Sequence, residues 1–208
     1  MNRAFFITGT DTGVGKTVFT VSLLASLRQN GINAAALKPI CSGGREDAQK
    51  ILAVSDGALS LNEINPWHFR AAIAPTLAAR QEKKKVNLAQ AAAHIRAMQK
   101  RFDILLVEGA GGLLSPLGEN FNSRDLILAT RATPVIVASN RLGVVNQVLL
   151  TLEALPKNFR ANVRVVLMPT PKADGSTKSN TRLLAEFFDG KRILTVSGSG
   201  DVSTYFLV

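Results

Sequence analysis

Residues 5–18 read Phe-Phe-Ile-Thr-Gly-Thr-Asp-Thr-Gly-Val-Gly-Lys-Thr-Val, and the rest of the chain is arranged around them. An apolar run enters this stretch, a turn rich in glycine and threonine follows, and apolar residues continue from Val18 to Leu27 at helical spacing. The pattern predicts a strand, a phosphate-binding loop and a helix whose N-terminal end carries partial positive charge. In such a loop we expect Lys16 to reach the β- and γ-phosphates of a nucleotide and Thr17 to give its hydroxyl to Mg²⁺.

An ordinary glycine turn between a strand and a helix is the alternative interpretation of this stretch. A standard phosphate loop has four residues between its glycines, whereas Gly9 and Gly15 bracket five here, and Thr10 stands where the first glycine is expected. Gly-Lys-Thr at the start of a helix, just after an apolar strand, nevertheless favours nucleotide binding.

Composition sets broad limits on the class of protein. The chain has 208 residues, 46% of them hydrophobic, which suits a single domain, 1–208, with a full hydrophobic core. It has one cysteine, no apolar run long enough to cross a bilayer and no signal-peptide pattern, so we expect a cytoplasmic protein without a membrane partner.

Lys and Arg exceed Asp and Glu by 25 to 15, a net charge of +10, which suits an anionic partner such as a nucleotide, an acidic metabolite or nucleic acid. Few aromatic residues accompany the densest basic run, Lys83–Lys85, so we interpret it as a solvated loop and expect no nucleic-acid partner.

Alternating strand and helix patterns predict an α/β fold: a P-loop-type, mostly parallel sheet with helices on both faces. Strands are expected at 4–8, 34–37, 104–107, 134–138, 163–168 and 192–196. Helices are expected after the phosphate loop, from residue 45, from Leu88 to Phe102, and at 144–155 and 180–188. Residues 40–44 are expected to form a turn, and 65–75 an irregular connection.

Two of these helices are predicted with a defined buried face. The helix after the loop is expected to bury Val18, Val21, Leu24 and Leu27. The helix that begins after Asn87, its predicted N-cap with Gln90 at the third position, is expected to bury Leu88, Ala91, Ile95, Met98 and Phe102.

Charged residues follow three of the predicted strands, namely Lys16, Lys38 and Glu108, and Asp47 comes shortly after Lys38. Because parallel strands end at the same edge of a sheet, we expect these groups to gather around one triphosphate. Carboxylates near the phosphates suit Mg²⁺, and two lysines would neutralise a transferring phosphoryl group. The spacing therefore predicts Mg-ATP-dependent phosphoryl transfer or hydrolysis.

Purely structural roles remain possible for Lys38 and Asp47 when each is considered alone. Cys41 and the histidines are also given no functional role. Taken alone, Lys38 could be a solvated strand end and Asp47 a helix N-terminal charge. No motif ties Cys41 to a histidine, so it is treated as a small loop residue, and His94 is expected on the flank of a helix.

In order and approximate spacing, the motifs of residues 4–155 resemble the dethiobiotin synthetase family. The motifs are Gly9 to Thr17, Lys38-Pro39-Ile40-Cys41-Ser42-Gly43, Asn65-Pro66-Trp67 with Ala74-Pro75, Val107 to Gly112, and Asn140 to Asn146. The resemblance implies a ligase of biotin biosynthesis that uses ATP and Mg²⁺. Its substrates are 7,8-diaminononanoate and CO₂, which form a carbamate; ATP phosphorylates the carbamate, and the second amine closes the ureido ring to release dethiobiotin, ADP and phosphate.

The resemblance also implies roles for residues. Lys38 and Lys16 would be catalytic, and Thr17, Asp47 and Glu108 would bind the metal. The nucleotide would contact Gly13, Val14, Gly15, Lys16, Thr17, Val18, Asp47, Glu108, Gly109, Ala110 and Gly111. The diamine or carbamate would contact Thr12, Lys38, Ser42, Gly112, Leu142, Gly143, Val144 and Asn146. The last four would come from a helix N-terminus of the partner subunit in a homodimer, where they receive the substrate carboxylate.

The chain departs from the family pattern in several places. Gly13 stands where many members carry an acid, and the loop from Ser42 to Asp47 is short. Met168-Pro169-Thr170 replaces an Asn-Asp pair that reads the base, and the tail, 197–208, lacks a proline-containing segment that lines the nucleotide. These departures predict a looser base pocket that tolerates other nucleoside triphosphates.

Two competing functions share this fold. The synthetase half of a cobyrinate amidotransferase would need an amidotransferase domain with a nucleophilic cysteine and a histidine partner. A partition or division-type P-loop ATPase switch, binding DNA or membrane, fits the positive charge, but such switches usually carry a lysine early in the phosphate loop, where residues 10–13 are Thr-Asp-Thr-Gly. An amphipathic membrane helix is not evident at the C-terminus either.

Overall fold

A computed structural model describes residues 3–171, 174–197 and 202–207. Its strands are β1 (Arg3–Gly9), β2 (Ala34–Leu37), β3 (Ile40–Ser42), β4 (Trp67–Phe69), β5 (Ile104–Gly112), β6 (Pro116–Gly118), β7 (Phe121–Asn122), β8 (Thr133–Ser139), β9 (Arg164–Met168) and β10 (Ile193–Thr195). Its helices are α1 (Lys16–Gln29), α2 (Glu46–Ala53), α3 (Leu61–Ile64), α4 (Pro75–Gln81), α5 (Leu88–Gln99), α6 (Ser123–Thr130), α7 (Val144–Glu153), α8 (Lys157–Arg160), α9 (Asn180–Ala185) and α10 (Thr204–Leu207).

A parallel sheet of six strands, in the order β10-β9-β8-β1-β5-β2, forms the centre of the molecule. The α/β prediction is therefore confirmed, and all six expected strands are present. Most residues of β1, β5 and β8 are buried, as their continuous apolar sequences require of strands covered on both faces. One arrangement was not predicted: β5 lies between β1 and β2, so the strands that carry Lys16 and Lys38 are not neighbours.

The end of β5 bulges away from β1. Ile7 pairs with Glu108 and Gly9 with Gly112, so three residues of β5 lie opposite the single residue Thr8. Gly111 in this bulge has a φ of 68°, which a glycine adopts without strain. The bulge turns the backbone of the Glu-Gly-Ala-Gly-Gly segment toward the phosphate loop.

The predicted buried face of α1 is wrong in part. Leu24 and Leu27 are fully buried as expected, but Val18 is 60% exposed, and Phe19 and Leu23 fill the core instead. The helix begins at Lys16, and the loop holds Lys16 against the cavity, which sets the rotation of every later residue. The face of α5 is closer to its prediction: Ala91, Ile95 and Phe102 are buried, Leu88 and Met98 are partly buried, and the Asn87–Gln90 capping box is present.

Short segments account for the other differences. Residues 40–42, predicted as a turn, form β3, which pairs in parallel with β4 inside the stretch predicted to be irregular, 65–75. The helices α7 and α9 end at Glu153 and Ala185, earlier than expected. Lys83–Lys85 is exposed as predicted.

At the amino end of β1, the last helix packs against the core. Phe206 of α10 is fully buried and its ring lies 5.2 Å from that of Phe5 and 5.7 Å from that of Phe19. The part of the tail at 198–201, where a proline-containing segment is missing from the sequence, lies outside the described residues. Across the described ranges, every helix is too short or too polar to span a bilayer.

Candidate functional site

The phosphate loop begins where β1 ends and depends on its glycines. Gly13 and Gly15 have φ values of 73° and 96°, and a Cβ on Gly15 would lie 3.0 Å from Cγ of Met168. Val14 is buried beneath the loop. Only glycine fits a backbone that is both left-handed and this close to a neighbouring strand.

Lys16 is the first residue of α1 and is 7% exposed. Its Nζ donates a hydrogen bond of 2.8 Å to the carbonyl oxygen of Asp11, so the ammonium folds back over the loop. Burial and the nearby positive charge of Lys38 lower the pKa of Lys16 to about 8. A bound anion would favour its charged form.

Lys38, the residue after β2, and Glu108, which precedes the bulge of β5, form a buried ion pair. Nζ of Lys38 lies 2.6 Å from Oε1 of Glu108 and 3.2 Å from Oδ2 of Asp47, and it also donates to the carbonyl oxygen of Gly109 at 3.1 Å. Burial alone would lower the pKa of Lys38, but the charges and hydrogen bonds of Glu108 and Asp47 outweigh it and raise that pKa. Lys38 therefore stays an ammonium at neutral pH.

Thr17 joins the phosphate loop to this pair. Its Oγ1 donates a hydrogen bond of 2.7 Å to Oε1 of Glu108, and the hydroxyl also lies close enough to Asp47 to affect the pKa of that carboxyl. Burial would raise the pKa of Asp47, but the charge and hydrogen bond of Lys38, with the hydroxyl of Thr17, lower it. The four groups expected around one triphosphate, Lys16, Lys38, Glu108 and Asp47, thus meet at one edge of the sheet.

The same groups fit a magnesium ion. Oε2 of Glu108 is buried and has no hydrogen-bond partner in the described structure, and Asp47 and Thr17 supply further oxygen atoms beside it. An all-oxygen donor set is what Mg²⁺ prefers. Within the described ranges, three or more His, Cys, Asp or Glu side chains are nowhere arranged so that they could hold a metal ion by themselves. An ion here therefore needs phosphate oxygens or water to complete its coordination.

These side chains surround a cavity of about 750 Å³. The predicted residues that line it are Thr12, Gly13, Gly15, Lys16, Thr17, Val18, Lys38, Ser42, Asp47, Ala110 and Gly111. Four further predicted residues of the loop and of β5 do not line it. The side chain of Val14 is buried, Glu108 bonds to Lys38 and Thr17, the carbonyl oxygen of Gly109 accepts from Lys38, and the N–H of Gly112 donates to Oγ of Ser115 at 2.9 Å.

The residues 142–144 and Asn146 do not line the cavity of their own chain. They form the start of α7, where Gly143 has a φ of 91° and Leu142 is 74% exposed. The N–H of Leu142 donates to Oδ2 of Asp174 at 2.8 Å. Their predicted contact with substrate, which involved a partner subunit, stays a prediction.

Several lining residues were not predicted. Ala72, Ile73, Ala74 and Pro75 form an apolar wall, to which Ser42 donates a hydrogen bond through the carbonyl oxygen of Ile73; Lys50, Cys41, Ser115 and Pro116 also line the cavity. The Ala74-Pro75 dipeptide and Cys41 belong to motifs of the sequence but had no predicted role in binding, and the others carry no sequence signal of their own.

Cys41 is a buried residue of β3, not a loop residue as predicted. Its Sγ lies 3.3 Å from Oδ1 of Asn65, and burial raises the pKa of the thiol, which disfavours a nucleophilic role. His68 contacts the carbonyl oxygen of Gly43 at 2.7 Å, and His94, on the flank of α5 as expected, contacts that of Glu63 at 2.8 Å.

The fold and this site define a P-loop nucleotide-binding protein. A family model described as an AAA domain matches residues 3–203. The MinC:MinD cell division protein complex of Aquifex aeolicus is similar in fold alone, with a TM-score of 0.59 at 14% identity over 98% of this chain and 84% of the other.

Sequence comparison identifies the family within the P-loop nucleotide-binding proteins. The chain is 43% identical over 176 residues to the ATP-dependent dethiobiotin synthetase BioD of Anaeromyxobacter sp. (strain Fw109-5), covering 83% of this chain and 79% of that protein. It is 37% identical to the protein of the same name from Anaeromyxobacter sp. (strain K), over 97% of this chain and 92% of the relative. The chain belongs to the dethiobiotin synthetase family of P-loop proteins.

Proposed function

We propose that the protein is an ATP-dependent dethiobiotin synthetase. It carboxylates 7,8-diaminononanoate with CO₂, phosphorylates the carbamate and closes the ureido ring. The observation that carries the proposal is the network of hydrogen bonds and ion pairs that joins Lys38, Thr17, Asp47 and Glu108. Lys16 lies beside this network on the wall of the same cavity, which is large enough for a triphosphate and a small substrate.

The phosphate side of the cavity binds ATP. The backbone N–H groups of residues 13–18 and the N-terminus of α1 face the phosphates, and Lys16 exchanges its bond to the Asp11 carbonyl for phosphate oxygens. Thr17, Asp47 and Glu108 would hold the Mg²⁺ ion, which neutralises charge on the β- and γ-phosphates when it is bound. Ala110 and Gly111 complete the wall on this side.

Lys38 lies where the two substrates meet. One amine of the diamine attacks CO₂ and loses a proton to give the carbamate, whose negative charge the Lys38 ammonium attracts. A carbamate oxygen then attacks the γ-phosphorus and ADP leaves, while Lys16 and Lys38 stabilise the charge on the transferring group. The second amine attacks the carbamoyl carbon, and phosphate leaves as the ring closes.

Thr12, Ser42 and the backbone of Gly112 are the polar groups proposed for the diamine. The apolar wall from Ala72 to Pro75 lines the same cavity, in contact with Ser42 through the carbonyl oxygen of Ile73, and suits a methylene chain.

We infer that the substrate carboxylate binds at the start of α7 of a partner subunit. The left-handed Gly143, the backbone near Val144 and the side chain of Asn146 form a helix N-terminus, which attracts an anion. Leu142 and Leu150 are 74% and 63% exposed, and apolar residues this exposed suit a subunit interface. A homodimer in the cytoplasm is the form we propose for the active protein.

The decisive experiment incubates the purified protein with 7,8-diaminononanoate, bicarbonate, MgCl₂ and ATP, and measures dethiobiotin by mass spectrometry. Product should depend on all four components, and Lys16→Ala should abolish it while the circular dichroism spectrum stays unchanged. Diamine-independent ATP hydrolysis without dethiobiotin would contradict the proposal.

The alternative, a partition or division-type switch, draws support from the charge of +10 and from the fold shared with the MinC:MinD cell division protein complex. A salt-dependent mobility shift on DNA, together with ADP release that ignores the diamine, would favour it.

A further inference from the structure

We propose that Lys50 is a further phosphate-binding residue, whose ammonium meets the terminal phosphate of an incoming nucleoside triphosphate at the mouth of the cavity. The inference rests on the nucleotide site of the proposed function. It concerns a residue for which neither the sequence motifs nor the family resemblance gives a role.

Three lysines line the cavity, and two of them are already bonded. Lys16 donates to the Asp11 carbonyl oxygen, and Lys38 is shared by two carboxylates and a carbonyl oxygen. Lys50 is exposed, and within the described structure it has no hydrogen bond or ion pair. An arriving anion can therefore bind Lys50 without breaking a contact that the protein already makes.

The position of Lys50 on α2 points it to the phosphate side of the cavity. It follows Asp47 by three residues, which places the two side chains on one face of the helix, and its charge contributes to the lowered pKa of Asp47. Thr17 and Val18, the first residues after the phosphate-loop lysine, line the same cavity. Lys50 thus lies beside the groups proposed for the metal and the β- and γ-phosphates.

The balance of charges in the cavity explains why Lys50 would strengthen nucleotide binding. Of the charged residues that line the cavity in the described structure, Lys16, Lys38 and Lys50 are cations and Asp47 is an anion, with the Glu108 carboxylate behind the wall and Asp11 near Lys16. These carboxylates already oppose Lys16 and Lys38, so Lys50 supplies a positive charge at the mouth that no ion pair among the described residues neutralises. A triphosphate keeps a net negative charge even with one Mg²⁺, and a carbamate adds another. A cation at the mouth attracts that charge and is screened by salt because it is exposed.

The carboxylate of the amino-acid substrate is the other anion that could use Lys50. Phosphate is favoured because Lys50 shares a face of α2 with Asp47, which is proposed to hold the metal beside the β- and γ-phosphates, and its charge acts on that carboxylate. The diamine end of that substrate also carries ammonium groups, which a third lysine repels.

The test measures nucleotide binding by isothermal titration calorimetry in MgCl₂, at 20 mM and 200 mM NaCl, for the wild type, Lys50→Gln and Lys50→Arg. Lys100→Gln is the matched control, because it removes the same charge from an exposed residue at the end of α5, outside the cavity lining. We expect Lys50→Gln to raise the Kd of ATP about fivefold at low salt and about twofold at high salt. The Kd of ADP should change less than twofold, Lys50→Arg should retain most of the affinity, and Lys100→Gln should bind as the wild type does.

Three results would overturn the inference. If Lys50→Gln weakened the binding of ATP and ADP equally, Lys50 would not act through the terminal phosphate. If Lys100→Gln lost as much ATP affinity as Lys50→Gln, the effect would come from the net charge of the protein and not from the position of Lys50. A raised KM for the diamine with unchanged ATP affinity would assign Lys50 to the substrate carboxylate. The titrations need no turnover, so a protein that makes no dethiobiotin but shows the expected pattern would refute the proposed function and leave this inference standing.

Discussion

The two ends of β1 are held by opposite kinds of interaction. At the carboxyl end, charged side chains meet in a network with ion-pair distances of 2.6 and 3.2 Å around Lys38. At the amino end, the rings of Phe5 and Phe206 pack 5.2 Å apart, and the Arg164 guanidinium lies 5.0 Å from the centre of the Phe206 ring.

The difference separates function from stability. Buried charges cost free energy that their mutual attraction only partly returns, so a charged cluster is weak evidence of stabilisation. Burying aromatic rings stabilises the fold directly. The protein places its charged cluster at one end of the strand and packs α10 against the other.

The largest effect is expected for Lys38→Met. It leaves the fully buried Glu108 carboxylate without its cation, so we expect a loss of about 3–5 kcal/mol in unfolding free energy. Turnover should fall at least about 100-fold, because a positive charge at the transferring group is lost. Denaturant unfolding and the dethiobiotin assay measure the two effects.

The double variant Lys38→Met/Glu108→Gln sharpens this test. Removing both charges should restore most of the stability and none of the turnover. A single Lys38→Met variant as stable as the wild type would show that the pair is hydrated and not buried.

Phe206→Ala tests the other end of β1. The cavity left among Phe5 and Phe19 should cost about 3–5 kcal/mol of unfolding free energy, while the folded fraction keeps its kcat. Phe187→Ala is the control: its side chain is 62% exposed, and we expect a change within about 0.5 kcal/mol. A fall in kcat larger than the fall in folded protein would show that the aromatic end also supports the reaction.

Gly15→Ala probes where the phosphate loop touches the C-terminal half of the chain. A φ of 96° and a Cβ 3.0 Å from Met168 should destabilise the protein by about 1–3 kcal/mol and weaken ATP binding. Adding Met168→Ala relieves the contact but not the backbone strain, so recovery should be partial. Gly175→Ala, whose Cβ would meet no atom within 4 Å, should be nearly neutral; if it costs as much, the strain argument is wrong.

A pH titration separates the two buried lysines. The pKa of Lys16 is lowered to about 8 by burial and by Lys38, whereas that of Lys38 is raised. A bound triphosphate holds the Lys16 proton, so binding above pH 8 takes up a proton, and the Kd of ATP should rise up to about tenfold from pH 8 to pH 9. Below pH 7 the Kd should level off. Calorimetry across this range measures the effect, and Lys16→Arg should flatten it; a flat wild-type profile would place the pKa of Lys16 well above 9.

The smallest effect on turnover is expected when the nucleobase of the triphosphate is changed. Met168 ends β9 beside the phosphate loop and its thioether offers no strong hydrogen bond, so kcat/KM for ATP, GTP and CTP should agree within about tenfold. A preference for ATP by orders of magnitude would show that other groups read the base.

Much of the site could be predicted because its residues are close in sequence to strand ends. A parallel sheet brings the ends of all its strands to one edge, so Lys16, Lys38 and Glu108 had to lie on the same side of the molecule. The loop glycines were equally clear, since their conformation is local. The wall from Ala72 to Pro75 could not be predicted, because small apolar residues look alike whether they face a cavity or the core.

Helix faces and short strands were the weak points, for a related reason. Val18 fits an apolar stripe in the sequence, but it is exposed because the start of α1 at Lys16 fixes the rotation of the helix. The strand β3 exists only because β4, from a distant segment, pairs with it. Neither the exposure of Val18 nor the strand β3 can be predicted from the sequence pattern around it.

The sequence by itself determined the α/β class, the phosphate loop and the set of charged residues, because each depends on local conformation or on the periodicity of apolar residues. The tertiary structure alone decided that β5 lies between β1 and β2, that Thr17 and Lys38 share the Glu108 carboxylate, and that Lys50 borders the same cavity. Those facts depend on which segments pack together, and packing is a property of the whole chain.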